Sequence, residues 1–305
     1  MKRFDLILPV TALCSLALSA RAQTFVNDTF LDGNRTDPAT YSEMGVDTDT
    51  DGDIESRWFG GGLTSSAGHL NGAVGTGSAS WTTYFTDTFA NSVNLANPGD
   101  MLRVTWVFTP TVVTNQNGSQ GFRMALVQTP SGGRLAADGT PASAAYTGYA
   151  IFQNFAPLLG RVNNDNLDIM RRNVASGDIL GTGGNWLKAA GGGTQNNTGF
   201  TAGTQYTFLF TAQRGSLGEL LLNASFSGDN IDGSGTLAAS FTDTTPGTYT
   251  FDTFSLRPSS ASSSAGNFDT TKFEVEFIQV PEPALGALLM ASLGGLVAFR
   301  RFRRS

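Results

Sequence analysis

The 305-residue chain has one cysteine and one histidine, and between its two ends no long stretch of 3.6-residue apolar periodicity. Each shortage argues against a class of protein. Cys14 lies inside an N-terminal apolar segment, so a chain cut after that segment forms no disulfide, and its stability must come from a core or a bound ion. With His69 the lone imidazole, the donors for a zinc or other transition-metal site are missing. A Ser-His-Asp apparatus would have to use His69, which sits in Ser65-Ser66-Ala67-Gly68-His69-Leu70 with no Gly-x-Ser-x-Gly nucleophile elbow around it. Glutamate is scarce too: between residues 23 and 280 it occurs at Glu43, Glu55, Glu219, Glu274 and Glu276. Glu274 and Glu276 alternate with Phe273, Val275 and Phe277, which puts them on the solvent face of a strand.

What is present begins with the two ends. Lys2 and Arg3 precede an apolar stretch at 6–18, followed by Ala20-Arg21-Ala22, a small-x-small cleavage pattern, so residues 1–22 read as a signal peptide. Leu13 before Cys14 is too bulky for a lipobox. At the other end, Pro281-Glu282-Pro283 is followed by an apolar run at 284–299 and then by Arg300, Arg301, Arg303 and Arg304. As a helix that run spans roughly 24 Å, slightly short of a ~30 Å hydrocarbon core, and the arginines stay cytoplasmic by the positive-inside rule. The prolines exclude helix at the junction and present an extended segment to a protease. This tripartite tail, 280–305, resembles the PEP-CTERM sorting signal of bacterial exported proteins. The resemblance implies recognition by an exosortase-type membrane protease, transient membrane anchoring through the C-terminal helix, and a final place at the cell surface or in extracellular matrix. The alternative is a plain C-terminal anchor that is never cut.

Removing both ends changes the charge. The 19 basic residues fall to 12 without Lys2, Arg3, Arg21 and the four tail arginines, and the 25 acidic residues fall to 23 without Asp5 and Glu282, a net of about −11. Such a body is not a nucleic-acid binder and does not seek anionic membranes; it suits a soluble extracellular protein or one that gathers cations.

Residues 23–279 read as a single all-β domain. Period-2 alternation recurs at 81–85 (WTTYF), at 101–109 (MLRVTWVFT) after the turn Asn97-Pro98-Gly99-Asp100, and at 122–128 (FRMALVQ), 149–155, 167–171, 205–213 (QYTFLFTAQ), 220–226, 249–256 and 272–280. Gly215-Ser216-Leu217-Gly218 reads as a hairpin turn, 181–203 as a long loop and 259–266 as a flexible connection. About a dozen such strands predict a two-sheet antiparallel sandwich. Asn27-Asp28-Thr29-Phe30-Leu31-Asp32-Gly33-Asn34-Arg35-Thr36, Glu55-Ser56-Arg57-Trp58-Phe59, Phe122-Arg123-Met124-Ala125-Leu126 and Gly148-Tyr149 together resemble a concanavalin A-like (LamG or laminarinase-like) jelly roll. Glucanases of that fold carry a Glu-x-Asp-x-(x)-Glu strand, and no glutamate here belongs to one. The expectation is an exported, non-catalytic surface protein that binds or resides in extracellular polysaccharide matrix; a polysaccharide-cleaving hydrolase with dispersed carboxylates and a ligand-free structural surface protein are the alternatives.

Two features carry chemistry. Asp47-Thr48-Asp49-Thr50-Asp51-Gly52-Asp53-Ile54 places carboxylates at alternate positions before a glycine, as in the first half of an EF-hand-type calcium loop. Asp47, Asp49 and Asp51 would converge on the ion, Gly52 would make the turn and Asp53 would offer its backbone carbonyl. The twelfth position is Trp58 where a glutamate is expected, so Glu55 or a distant loop would complete a structural calcium site; the alternative is a solvated acidic loop. Asp28 and Asp32 form a second candidate pair. For extracellular polysaccharide the stacking pool is Trp58, Trp81, Tyr84, Trp106, Tyr146, Tyr149 and Trp186. Trp106 alternates with Val104 and Phe108 and reads as core. Trp186, in the Gly-rich 181–186 stretch, is the expected ligand contact.

Overall fold

Strict alternation in the strand Met101–Val113 buries Leu102, Val104, Trp106 and Phe108 completely and leaves Met101, Arg103, Thr105 and Val107 partly exposed. Tyr206–Arg214 and Leu220–Ser227 follow the same rule, burying Tyr206, Phe208, Phe210 and Ala212, then Leu220, Leu222, Ala224 and Phe226. The two are joined at the expected hairpin, where Arg214 pairs with Leu220. A strand that alternates in this way belongs to a sheet with one dry face and one wet face. The computed structural model describes residues 21–38, 41–114, 121–160, 165–181 and 184–280. Most of the expected signal peptide and the whole tail from Pro281, with Glu282, Pro283, Arg300, Arg301, Arg303 and Arg304, lie outside the described residues. Among the described residues no helix is long and apolar enough to cross a membrane.

The body, Ala22–Gln279, is built from two large antiparallel sheets. The eight-stranded sheet runs in the order Thr236–Asp243, Leu220–Ser227, Tyr206–Arg214, Met101–Val113, Ala265–Gln279, His69–Ala73, Leu63–Ser66, with Arg21–Asp28 also paired to Ala265–Gln279. The seven-stranded sheet runs Trp186–Gly192, Leu167–Arg172, Thr147–Gln153, Phe122–Gln128, Thr253–Pro258, Trp81–Tyr84, Trp58–Phe59. One apolar core lies between them. Trp106 stacks on Phe108 at 3.9 Å within its own sheet and lies parallel to Phe122 of the other sheet at 5.6 Å. The expected all-β, two-sheet antiparallel sandwich is therefore the fold observed.

The seven-stranded sheet departs from simple alternation. All of Phe122 to Val127 is buried, as are Leu167, Asp168, Ile169 and Met170. The reason is a second apolar cluster on the sheet's outer side, where Ala125, Val127, Ala150, Phe152 and Met170 meet Tyr146, Ile179, Leu180 and Trp186. Segments flanking this sheet's strands cover that face, so its central strands are dry on both sides.

Three local expectations need correction. The stretch 181–203 is not one long loop, because Trp186–Gly192 pairs with Leu167–Arg172 as the sheet's edge strand. Its glycines serve close approach: a Cβ on Gly192 would collide with the Ala238 carbonyl of the other sheet. The connection at 259–266 is held in place, with Ser264 fully buried and its hydroxyl donating to the Ser260 carbonyl at 2.8 Å. The last strand starts at Ala265, before the expected 272. A bulge between Thr270 and Lys272 changes the parity, so Phe268 and Thr270 face inward before it, and Phe273 and Val275 after it.

A buried ion pair fastens the 130–146 segment. Arg134 reaches Asp252 at 2.9 Å with side-chain exposures of 8% and 0%. It also donates to Thr86 Oγ1 and sits over the rings of Tyr41 and Tyr84. Asp252 Oδ1 accepts the Thr129 N–H at 2.8 Å. Arg134→Met strands a buried carboxylate and is expected to cost about 3–5 kcal/mol of unfolding free energy in urea titration. Arg134→Lys, which keeps the charge without the planar fork, should lose less. Equal midpoints for Arg134→Met and the parent would refute the role.

Candidate functional site

The acidic segment is tied to the rim of the sandwich by backbone bonds. Asn27 and Ile54 exchange N–H···O bonds at 2.9 and 3.2 Å, Glu43 N–H donates to Glu55 O at 3.1 Å, and Gly45 N–H to Phe25 O at 3.0 Å. The Glu43 carboxylate closes the neck, accepting the Thr48 N–H at 2.8 Å and the Glu55 N–H at 2.9 Å, together with the Thr48 hydroxyl. Inside this frame each aspartate caps the turn that follows it. Asp47 accepts the N–H groups of Thr50 (2.6 Å) and Gly52 (3.0 Å), Asp49 that of Asp51 (3.2 Å), and Asp51 that of Asp53 (2.8 Å). Gly52 takes φ +105°, a value open to glycine and strained for other residues.

These turns bring one carboxylate oxygen each from Asp47, Asp49 and Asp51 within 4.8 Å of one another. The Asp53 side chain is engaged elsewhere: its oxygens accept the Thr29 hydroxyl at 2.9 Å and the N–H groups of Thr29 (2.8 Å) and Leu31 (3.3 Å). Trp58, at the twelfth loop position, is core, its indole N–H donating to Ser56 Oγ at 2.8 Å. Glu55 is buried to 4% exposure, and its carboxylate forms no hydrogen bond among the described residues. Burial, and then the charges of Asp32, Asp49, Glu43 and Asp28, push its pKa up to about 8.

The neighbours share this strain. Burial raises Asp28 to about 7, against the opposing bonds it accepts from Ser56 and Phe30. Asp32 is raised by burial and, after the opposing Asn34 N–H, by Asp51, Asp37 and Asp53. Asp49 accepts the Asp51 N–H, which favours its charged form, yet burial and the charges of Asp51, Asp47 and Glu43 leave it raised overall. Among the described residues no ion pair reaches Asp28, Asp32, Glu43, Asp47, Asp49, Asp51, Asp53 or Glu55. A group of hard oxygen donors that repel one another, with no cationic side chain paired to them among the described residues, fits calcium, and nitrogen- or sulfur-seeking metals fit poorly.

The stacking pool offers no open platform. Trp58, Trp81, Tyr84, Trp106, Tyr146 and Tyr149 are each exposed by 2% or less. Trp186 is also buried, at 4%, packed edge-on to Phe152 at 6.4 Å with the Arg172 guanidinium 5.1 Å from its ring. The Gly-rich flank led to the expectation of a presented ring, but the ring opens the edge strand and is spent on the outer apolar cluster. On the other sheet, Glu276 pairs with Arg103, Glu274 with Lys272 at 3.2 Å, and His69 with Asp269 at 2.9 Å.

One strongly polar cleft lies on the seven-stranded sheet, about 430 Å³, lined by Ser78, Arg123, Asp178, Asn185, Arg257 and Ser259. Arg123 and Arg257 are direct cross-strand partners. The one signal of this pair in the sequence is an arginine inside the apolar run 122–128.

No protein-family model matches the chain, and no curated protein matches its sequence. Similar solved structures include the carbohydrate recognition domain of Emp46p in its metal-free form, with 14% identity and a TM-score of 0.45 over 80% of this chain and 97% of that one. The exoplasmic/lumenal domain of VIP36 in a Ca2+/Man2-bound form is 14% identical, with a TM-score of 0.47 over 80% of this chain and 88% of that one. The Emp47p carbohydrate recognition domain is 10% identical, with a TM-score of 0.40 over 73% and 89%.

Proposed function

We propose that the chain is an exported, non-catalytic surface or matrix protein whose sandwich takes calcium into the 47–53 loop as a structural ion and binds, or resides in, extracellular polysaccharide. The observation that carries this reading is the acidic rim. Asp47, Asp49 and Asp51 gather within 4.8 Å, and Glu55, buried and outside that group, feels the charge of Asp49. Asp53 would contribute its backbone carbonyl, since its side chain is held by Thr29 and Leu31. Extracellular calcium modules work at dissociation constants of roughly 10⁻⁴–10⁻³ M, which a partly exposed loop of this charge suits. The polar cleft supports the polysaccharide side, because hydroxyl-rich ligands are held through hydrogen bonds where no aromatic face is offered.

The ends supply the address in this reading. The chain is cut after Ala22, exported across the inner membrane, and held by the 284–299 segment with Arg300, Arg301, Arg303 and Arg304 inside. An exosortase-type protease then acts at Pro281-Glu282-Pro283. The core lies wholly within Ala22–Gln279, so residues 23–280 can be tested without the tail. On a panel of immobilised polysaccharides this body should show saturable retention on at least one, weakened by chelator and restored by calcium. Retention on none, in either condition, would remove polysaccharide from the proposal and leave a ligand-free structural surface protein.

A further inference from the structure

Arg123 and Arg257 stand directly opposite each other on neighbouring strands, Phe122–Gln128 and Thr253–Pro258. Like charges in that register repel, and a sheet normally avoids them or places a carboxylate between them. Neither guanidinium has an ion pair among the described residues. Arg123 is only 9% exposed, yet its Nε has no partner, and its one bond runs from Nη1 to the Leu180 carbonyl at 2.7 Å. Its guanidinium also lies 5.6 Å from the Phe152 ring. Arg257 donates only to Ser78 Oγ at 3.2 Å. Burial, and next the charge of Arg257, lower the Arg123 pKa to about 10, so it remains cationic at neutral pH. Asp178 lines the same cleft, but it accepts the Ser143 hydroxyl and its charge acts on Arg172. The sheet therefore holds two unneutralised guanidiniums at the floor of an open polar cleft.

We propose that this cleft binds an anionic sugar residue of the uronate class, its carboxylate accepted by Arg123 and Arg257 and its ring hydroxyls bonded by Ser78, Asp178 and Asn185. The proposal rests on the polysaccharide reading above and narrows it to a charged ligand. Arginine pairs suit a planar carboxylate, which takes parallel N–H bonds from the guanidinium fork. The body's net charge of about −11 opposes any polyanion, so affinity for one must come from this local pair.

Hyaluronan oligosaccharides, with alternate uronates, dextran as the neutral arm and dextran sulfate as the sulfate-ester arm can be titrated against residues 23–280 by calorimetry at fixed calcium. The expected result is saturable binding to hyaluronan and none to dextran. Arg257→Gln should weaken hyaluronan at least tenfold, and Arg123→Lys, which keeps the charge but not the fork, should also weaken it. Lys272→Gln, on the other sheet, should change nothing. Without ligand, Arg257→Gln should also raise Tm, on the order of 1–3 °C, by relieving the cross-strand repulsion. That readout guards against loss of binding through misfolding. Equal binding of hyaluronan and dextran, Arg257-dependent binding of dextran sulfate alone, or hyaluronan binding indifferent to Arg257→Gln would each overturn the uronate assignment and leave the polysaccharide reading standing. Binding to none of these and to no member of the wider panel would overturn both.

Discussion

Calcium is expected to raise the Tm of residues 23–280 by about 5–10 °C once free calcium exceeds its dissociation constant a hundredfold. An ion that binds only the folded state at that excess contributes ~2.7 kcal/mol, and a domain of this size shifts by a few degrees per kcal/mol. Substitution should reverse sign with the ion. In chelator, Asp49→Asn and Asp51→Asn remove a repelling charge, so both variants should melt slightly above the parent. In calcium they lack a ligand and should melt below it. Protonation gives a second readout. Asp28 and Glu55 are weaker acids in the folded protein, at about 7 and about 8 against ordinary values near 4. The folded state therefore binds the extra protons between those limits. In the ion-free protein the stability these two groups contribute should be fully present below about pH 4 and lost as pH rises through 7 to 8. Calcium favours the deprotonated forms, so its binding should strengthen over the same window and flatten the loss. Identical calorimetric traces with calcium and with chelator at pH 8 would end the calcium reading.

Trp106→Ala should be the most damaging single core change. Trp106 is fully buried, stacked between Phe108 and Phe122, and donates its indole N–H to Thr270 Oγ1 at 2.9 Å. Truncation removes the stacked contacts that join the two sheets, costing about 3–5 kcal/mol, and strands a buried hydroxyl at a further ~1 kcal/mol or more. Against a total stability of roughly 5–15 kcal/mol, this brings the body close to unfolding at 37 °C. Trp106→Phe keeps a ring and should lose clearly less, while Thr105→Ala on the outer face should stay within about 0.5 kcal/mol. Chemical denaturation of the three variants checks the order. A small loss for Trp106→Ala would mean that the sheets are joined elsewhere.

The contrast between Trp106 and Trp186 shows how far patterning reaches. Trp106 is legible as core because its sheet has one wet face, so Arg103, Thr105 and Val107 mark the outside residue by residue. Trp186 is misread because the stretch before it is rich in glycine, which carries no side-chain pattern, and because its burial depends on Phe152, Ile179 and Leu180. The 122–128 run is legible as a strand. That it is dry on both sides follows from the cluster formed with Tyr146, Ile179, Leu180 and Trp186, which no local window contains. The strand over 249–256 is in fact two, Thr250–Phe251 and Thr253–Pro258, in different sheets and separated at the buried Asp252 that anchors Arg134.

The sequence by itself determined the all-β class, the places of the long alternating strands, the hairpin turn at 215–218 and the run of alternate aspartates, because each is written in residues a few positions apart. One cysteine and one histidine also denied the chain an internal disulfide and a histidine-rich metal site. Only the tertiary structure decided that Glu55 is buried among like charges, that Asp53 turns its carboxylate to Thr29, and that Arg123 meets Arg257. Periodicity reports which way a side chain leaves its own backbone. What it meets there is set by strand register and by covering loops contributed from remote parts of the chain, and the energy of a charge depends on that meeting.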